Sequence, residues 1–440
     1  MRTDYLEFLQ CPYCGGDFQI GEVYREHCGT LQDGFLQCGC FEAPFIDGIL
    51  IIKQSSLTNV VTQLLKRGER EAALGLLLNR HSEKLGAVAE FFGRRLKRSS
   101  LLLAWLDQLA CSTLCFFYKK YTNQSFSYRE LLGRAQSDIY LKNRHSAESY
   151  WSLYPFIPVL EGRRRLLDLS CGVGQSSFFL SNYVRPENLV SADFVYRYLY
   201  LAKKNFVKDT FFVCLDANSP LPFKDDVFEA VLMLDAFHYI STKALLAQEM
   251  MRTLCAQGVA LFLHIHNALA KNKGAGWPLS PSRWASLFKE HPIRILPEAM
   301  VVTDLLYSNS LDLTREYSLA EVENANALIA IATRDVSLLR HYSDVWIPSQ
   351  SKATKFALNP IYTVEDDGEC TIFARQLPSR LFRDEFPLAV EYLPERYVVR
   401  QTLNRIFLSS LDLYAPMEKE AINSELLDEL RNKFIIVEMP

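Results

Sequence analysis

The chain has 440 residues, 49% of them apolar and 22% charged, with a formal net charge of −3. That length excludes one small domain and predicts two or three units, and that balance excludes a disordered chain. A slightly acidic total also excludes a global field that draws the protein onto nucleic acid or an anionic membrane.

The chain opens Met1-Arg2-Thr3-Asp4-Tyr5-Leu6-Glu7, without the apolar stretch or cleavage site of a secretory signal, so a cytoplasmic protein is expected. Of the eleven cysteines, Cys11, Cys14, Cys28, Cys38 and Cys40 crowd into the first forty residues. In a reducing compartment such crowding points to metal rather than to disulfides. Cys11-Pro12-Tyr13-Cys14-Gly15-Gly16 is a knuckle that turns two thiolates toward one ion. Cys38 and Cys40 are the second pair, with Cys28 or His27 in reserve, because a closed structural zinc site takes four ligands. The alternative is a set of free buried cysteines, but a segment of about fifty residues rarely builds an adequate core without a staple. Residues 1–54 are therefore expected to form a zinc ribbon ending in the strand-like run Ile49-Leu50-Ile51-Ile52.

Residues 55–144 predict a helical segment or lid, from Leu64, Leu65, Leu74, Leu77 and Leu78 at helix-like spacing. Within it, the apolar stretch from Ser99 to Tyr118 carries Asp107 and Gln108 at its centre. A central Asp costs about 2.5–3.5 kcal/mol in a bilayer, so the stretch reads as a buried or partner-facing helix and no membrane span is expected. Two basic runs, Arg94-Arg95-Leu96-Lys97-Arg98 and Arg163-Arg164-Arg165, read as solvated faces or helix ends.

Residues 145–338 alternate short apolar runs with amphipathic stretches, the pattern of a doubly wound α/β sheet with crossover helices. The predicted strands are Arg165–Leu169, Leu189–Ala192, Thr210–Leu215, Glu229–Leu234 and Val259–His264. Residues 339–440 read as a C-terminal α+β extension without a motif.

The first strand ends in Asp168 and runs into Leu169-Ser170-Cys171-Gly172-Val173-Gly174-Gln175-Ser176-Ser177, a small-residue loop that opens a helix. Such a loop lets a ligand approach the backbone at the carboxyl ends of the strands. Gly172-x-Gly174-x-x-Ser177 is also a degraded dinucleotide fingerprint. Three acids decide between the two. Asp168 would repel a pyrophosphate but attract a sulfonium that carries an ammonium group. Asp193 follows the second strand, where an acid takes both ribose hydroxyls. Asp216, with Ala217, follows the third, where a side chain reaches the adenine. Loss of Asp193 should then cost cofactor affinity and leave folding nearly intact, whereas loss of a mere helix cap would cost stability.

The N-terminal run Tyr5–Gly16, with Cys38-Gly39-Cys40 and Ala43-Pro44-Phe45-Ile46-Asp47-Gly48-Ile49, resembles the small zinc-ribbon activators of methyltransferases. That resemblance implies a structural Zn2+ bound by Cys11, Cys14, Cys38 and Cys40, serving stability or docking. Residues 145–335 resemble class I S-adenosylmethionine-dependent methyltransferases. This second resemblance implies that Asp168, Ser170, Cys171, Gly172 and Gly174 line the methionine part of the cofactor. It places Asp193 and Phe194 at the ribose, Asp216 and Ala217 at the adenine, and Leu234 and Asp235 over the sulfonium.

Methyl transfer aligns nucleophile, methyl and sulfur and sheds any proton the nucleophile carries. His238, His264 and His266 follow the fourth and fifth strands and are the candidate bases, each with a purely structural role as the alternative; His145 ranks below them. The turn Leu234-Asp235-Ala236-Phe237 is not the Asn-Pro-Pro-Tyr-like turn of many amino-group methyltransferases, and Asn359-Pro360-Ile361-Tyr362 lies too late to replace it. The expected acceptor is a small molecule or peptide. A cofactor-binding regulatory or scaffold protein without turnover is the alternative, and an RNA methyltransferase is disfavoured by the acidic balance.

Overall fold

The computed structural model describes residues 1–79, 144–270, 276–345, 355–366, 369–399, 417–418 and 424–439. The expected helix from Ser99 to Tyr118 and the basic run at Arg94–Arg98 lie outside the described residues. Among them, no helix is long and apolar enough to cross a membrane.

The N-terminal segment forms β1 (Gln19–His27), β2 (Thr30–Gln37), β3 (Glu42–Ile46) and β4 (Ile49–Ile51), an antiparallel meander. Helices α1 (Ser56–Lys66) and α2 (Arg70–Leu78) follow, and the Ser55 hydroxyl caps α1 by accepting the Thr58 N–H. Then come β5 (Leu166–Leu169), α3 (Gln175–Ser181), β6 (Leu189–Asp193), α4 (Tyr196–Asn205), β7 (Phe211–Cys214) and β8 (Phe228–Leu234). After α5 (Lys243–Thr253) come β9 (Leu254–His266), β10 (Ile293–Pro297), α6 (Glu298–Ser308), β11 (Ser310–Asp312), β12 (Ala327–Thr333) and β13 (His341–Ser343).

One sheet joins the ribbon to the α/β unit, in the order β1-β2-β3-β4-β7-β6-β5-β8-β9-β12-β10. From β4 through β9 the strands run parallel, and β12 lies antiparallel to both β9 and β10. Strands β5, β6 and β7 are buried at every position, as expected of parallel strands covered on both faces. The chain winds outward through β5, β6 and β7 and returns to β8 on the other side of β5. The switch point for a ligand therefore lies at the carboxyl ends of β5 and β8.

The ribbon is continuous with the α/β sheet. Ile49, Leu50 and Ile51 pair with Phe212, Val213 and Cys214. Tyr5 stacks on Phe211 with ring centroids 4.3 Å apart, and Phe8 packs against Phe223 and Phe228. Arg70 of α2 binds the ribbon's buried Asp33 at 2.7 Å and Asp47 at 2.6 Å.

The run Arg163–Arg165 follows the end of a short helix (Ile157–Leu160), one of its two expected settings, with Arg164 exposed. The Arg163 guanidinium donates to the carbonyls of Val159, Glu229 and Gln257, and Arg165 lies over the Phe8 ring. Strand β13 pairs with β11 and so crosses the expected boundary at 338. The C-terminal residues form two three-stranded sheets, and Phe434 stacks on Trp151 at 4.5 Å in the core beside α6. Asn359 is fully buried, receiving the Ser146 hydroxyl and donating to the Phe434 carbonyl, so the Asn359–Tyr362 stretch is a structural turn.

Candidate functional site

A cavity of about 490 Å³ opens at the carboxyl ends of β5 through β8. Among the predicted residues, Ser170, Gly172, Asp193, Phe194, Asp216, Ala217, Leu234 and Asp235 line it. Arg144, Tyr198, Asn218, Tyr239 and Ile240 line it as well.

The loop after β5 is held by Asp193. Its two carboxylate oxygens accept the Gly172 N–H at 2.9 Å and the Val195 N–H at 2.8 Å, and its carbonyl accepts the Leu215 N–H at 3.1 Å. Asp193 thus ties the loop to the end of β6 through its side chain and to the end of β7 through its backbone carbonyl. Gly174 sits at φ 93°, where a Cβ would fall 2.6 Å from that of Ala202 on α4. Only glycine lets the start of α3 approach α4 so closely.

Asp168 and Cys171 are buried and lie outside the cavity lining, as does Gly174. Asp168 accepts the hydroxyls of Ser176 and Ser177 at 2.7 and 2.6 Å. Burial pushes its carboxyl up to about 6, although the two serine hydrogen bonds pull the other way. The Asp216 carboxylate accepts both the backbone and side-chain N–H groups of Asn218, whose own carbonyl oxygen accepts the Ser241 N–H.

On the β8–β9 side, Asp235 and His264 both adopt positive φ, 54° and 51°. Asp235 Oδ2 accepts the Arg144 guanidinium at 3.0 Å. Its Oδ1 lies 3.8 Å from His238 Nε2 and 4.0 Å from His264 Nε2. His264 Nδ1 donates to the buried Glu298 at 2.6 Å. His238 is fully buried and stacks on His266, with centroids 3.7 Å apart and planes 9° from parallel. Burial, reinforced by His266, pushes His238 down to about 3. Burial acts downward on His264 too, but the Glu298 carboxylate and Asp235 outweigh it and hold the imidazolium up to about 9. Neither group titrates near neutrality, where a general base works best. His145 is buried against Tyr150 and pushed down to about 4 by burial.

Sequence reasoning missed Arg144, Glu298 and Glu385. The last approaches His264 and His266 from the C-terminal section. No local spacing marks these three.

The sulfurs of Cys11, Cys14, Cys38 and Cys40 form one cluster. Cys11 and Cys40 are 3.6 Å apart, Cys14 and Cys38 3.8 Å, and Cys38 and Cys40 3.7 Å. Cys28 lies outside that group, exposed in the β1–β2 turn beside His27.

Residues 167–262 match the family model described as a methyltransferase domain. With the sheet order, this defines an α/β Rossmann-like methyltransferase fold. No curated protein matches the chain. Among solved structures, the YcgJ protein from Bacillus subtilis is 18% identical, with 42% of this chain and 98% of that one covered, at a TM-score of 0.29. A SAM-dependent methyltransferase from Aquifex aeolicus is 14% identical over 44% and 95%, at a TM-score of 0.32. A chain of the complex between the Haloferax volcanii Trm112 methyltransferase activator and a methyltransferase is 15% identical over 46% and 93%, also at 0.32.

Proposed function

We infer that this chain transfers a methyl group from S-adenosylmethionine to a small-molecule or peptide acceptor. The observation that carries the reading is one cavity at the sheet's switch point that gathers Ser170, Gly172, Asp193, Asp216 and Asp235. Its volume of about 490 Å³ falls within the range of small-molecule sites, about 300–1,000 Å³. Among the described residues, two carboxylates, Asp193 and Asp216, and no phosphate-cradling cation line the β5–β7 side, which opposes a pyrophosphate and suits a cationic ligand; Arg144, on the β8 side, is paired with Asp235.

The donor set fits the cofactor. A carboxylate has about four lone-pair sites, so Asp193 can take ribose hydroxyls while it keeps its two backbone N–H bonds. Asp216 and Ala217 would hold the adenine end, and Ser170 and Gly172 would flank the methionine part. Leu234 and Asp235 would border the sulfonium, with the acceptor on the side of Arg144 and Tyr239. S-adenosylmethionine supplies an activated methyl for in-line displacement. The work of this chain's residues is to fix ligand and acceptor in line and to keep the Asp235 carboxylate oriented through Arg144.

Calorimetry with S-adenosylmethionine, S-adenosylhomocysteine and NAD tests the cofactor. Methyl transfer from tritiated cofactor into a cell extract tests turnover. Tight NAD binding with no response to S-adenosylhomocysteine refutes the reading. Cofactor binding without transfer favours the regulatory alternative.

For the ribbon we infer one structural zinc. Four thiolates about 2.3 Å from a tetrahedral centre stand about 3.8 Å apart, close to the separations of 3.6, 3.7 and 3.8 Å in the cluster. Disulfides would bring pairs to about 2.05 Å instead.

A further inference from the structure

We propose that the methyl acceptor is a hydroxyl compound whose oxygen is held between Asp235 Oδ1 and His264 Nε2, with Glu298 as the positioning residue behind His264. The proposal rests on the methyl-transfer reading and names its substrate class.

The first observation is a gap one atom wide. Asp235 Oδ1 and His264 Nε2 stand 4.0 Å apart, too far for a direct hydrogen bond. An oxygen about 2.7–2.8 Å from each makes an angle of about 90–95° between them, which one proton and one lone pair of a hydroxyl can serve. Both atoms are open to such a group. The enclosed polar atoms nearby that lack a partner among the described residues are the His238 ring nitrogens and Glu298 Oε1, and neither Asp235 Oδ1 nor His264 Nε2 is one of them. Asp235 lines the cavity with 29% of its side chain exposed, so an acceptor in the cavity reaches it.

The second observation is that the donor and acceptor roles in the gap are fixed. Arg144 holds Asp235 Oδ2 at 3.0 Å and leaves Oδ1 toward the histidines. Glu298 accepts from His264 Nδ1 at 2.6 Å, which leaves the Nε2 N–H as the donor toward the gap. Burial pulls the imidazolium down, but Glu298 and Asp235 hold it up to about 9, so Nε2 keeps its proton at neutral pH. Glu385 adds a carboxylate within 4.8 Å, and the His266 ring stands 5.4 Å from that of His264. His238 lies 3.8 Å from Asp235 Oδ1 and is uncharged, because burial pushes it down to about 3.

A hydroxyl matches this pair and an amine does not. A hydroxyl carries one proton and two lone pairs. Its proton goes to Asp235, one lone pair takes the His264 N–H, and the second faces the methyl. An amine has one lone pair, which must face the methyl, so the His264 N–H would meet amine hydrogens. In the transfer the O–CH3 bond forms, the S–CH3 bond breaks with its electron pair left on sulfur, and the hydroxyl proton passes to Asp235 Oδ1. The products are a methyl ether, a neutral thioether and a protonated carboxyl. Burial pushes Asp235 up, but His264 and Arg144 outweigh it and hold the carboxyl below its ordinary value, so the proton leaves to solvent.

The test uses the full chain with tritiated S-adenosylmethionine and a cell extract. Mild alkali frees methyl esters as methanol, and hydriodic acid then frees methyl ethers as methyl iodide while N-methyl groups stay intact. The label should leave as methyl iodide. Label freed by alkali, or retained on nitrogen or carbon, overturns the proposal. The transfer rate should fall as pH rises through about 9, where Nε2 loses its proton. A rate that rises there makes His264 a base and overturns its donor role. Nitrogen-15 NMR of the empty chain should show His264 titrating near 9, and at or below the ordinary value of about 6.5 in Glu298→Gln. Its protonated fraction at pH 8 then drops from about 0.9 to about 0.03, so the variant should lose about thirtyfold in rate at pH 8 and little at pH 6. An equal loss at both pH values overturns the positioning role. Asp235→Asn should lower kcat about a hundredfold, and a full rate overturns its role as proton acceptor. The product chemistry and the parent's pH profile need no variant to fold. Calorimetry with S-adenosylhomocysteine separates the two readings. Cofactor binding without transfer to any acceptor removes the transfer reading and this proposal with it, whereas transfer to nitrogen removes the proposal alone.

Discussion

The Asp193 carboxylate holds the loop after β5 and, in the proposed function, also binds the ribose, so its replacement discriminates best between scaffold and ligand roles. It holds Gly172 and Val195 through two charge-assisted hydrogen bonds in a nearly buried setting. Each such bond contributes about 1.5–3 kcal/mol. Asp193→Ala thus removes about 3–6 kcal/mol, a large part of the roughly 5–15 kcal/mol that keeps a domain folded. Asp193→Asn is the better probe. Its single carbonyl oxygen keeps one of the two bonds, so unfolding without ligand should fall by about 1.5–3 kcal/mol. Affinity for S-adenosylhomocysteine should fall about tenfold to a hundredfold, since each 1.4 kcal/mol or so is tenfold. Urea unfolding of the empty chain and calorimetry with the ligand read the two effects separately. An unchanged urea midpoint would show that the carboxylate does not hold the loop. An unchanged affinity would remove Asp193 from the cofactor map. The expectation from sequence that folding barely responds to this acid is replaced by a stability cost, because both oxygens are committed to backbone N–H groups.

Zinc removal by a chelator, or Cys38→Ser, should release about one metal and lower the melting temperature; a metal-free chain with an unchanged melt refutes a structural zinc. Asp168→Asn should stabilise the empty chain at pH 8 by up to about 3 kcal/mol, two units at about 1.4 kcal/mol each, while keeping the serine hydroxyl bonds. The folded carboxyl titrates above its ordinary 3.8, so its contribution is complete below that pH and is lost as pH rises through about 6. The gain should therefore vanish below pH 4, and a gain that is the same at pH 4 and pH 8 refutes the assignment. Gly174→Ala should cost about 2–5 kcal/mol from left-handed strain and the clash with Ala202, partly recovered by adding Ala202→Gly; chemical denaturation of the four chains measures it.

The five central strands were legible because a parallel strand covered on both faces must be a nearly unbroken apolar run, and Leu166–Leu169 and Phe211–Cys214 are such runs. The acids at the strand ends were legible for the complementary reason, since a charge directly after such a run sits where the sheet meets solvent. What the run could not convey is depth. Asp168 lies one residue before the end of β5 and is sealed by two serines, while Asp193 ends β6 and lines the cavity. The histidines were visible as residues but not as a cluster. Their settings depend on Arg144, 91 residues from Asp235, and on Glu298, 34 residues from His264. An acid at the start of a helix, such as Glu298, reads as an ordinary favourable dipole partner until the fold brings an imidazole to it.

The pairing of the ribbon with the sheet changes what a structural metal would do here. A ribbon that merely docks would leave the cofactor cavity unaffected when it melts. In this chain β4 lies directly beside β7, and Lys53, just after β4, reaches Phe194 at the cavity. The Ile52 N–H donates to the Cys214 carbonyl, and the Tyr13 hydroxyl, between the first two cysteines, donates to the Ile52 carbonyl. Lys53 places its ammonium 3.2 Å from the ring centroid of Phe194, which lines the cavity next to Asp193. A short path of hydrogen-bond, backbone and cation–π contacts therefore leads from the Cys11–Cys14 knuckle to Phe194 at the cavity through Tyr13, Ile52 and Lys53. Loosening the knuckle exposes the β7 edge and frees Phe194 together. The ribbon thus supports the cavity through Phe194, and loss of the proposed structural metal should weaken ligand binding before it unfolds the sheet.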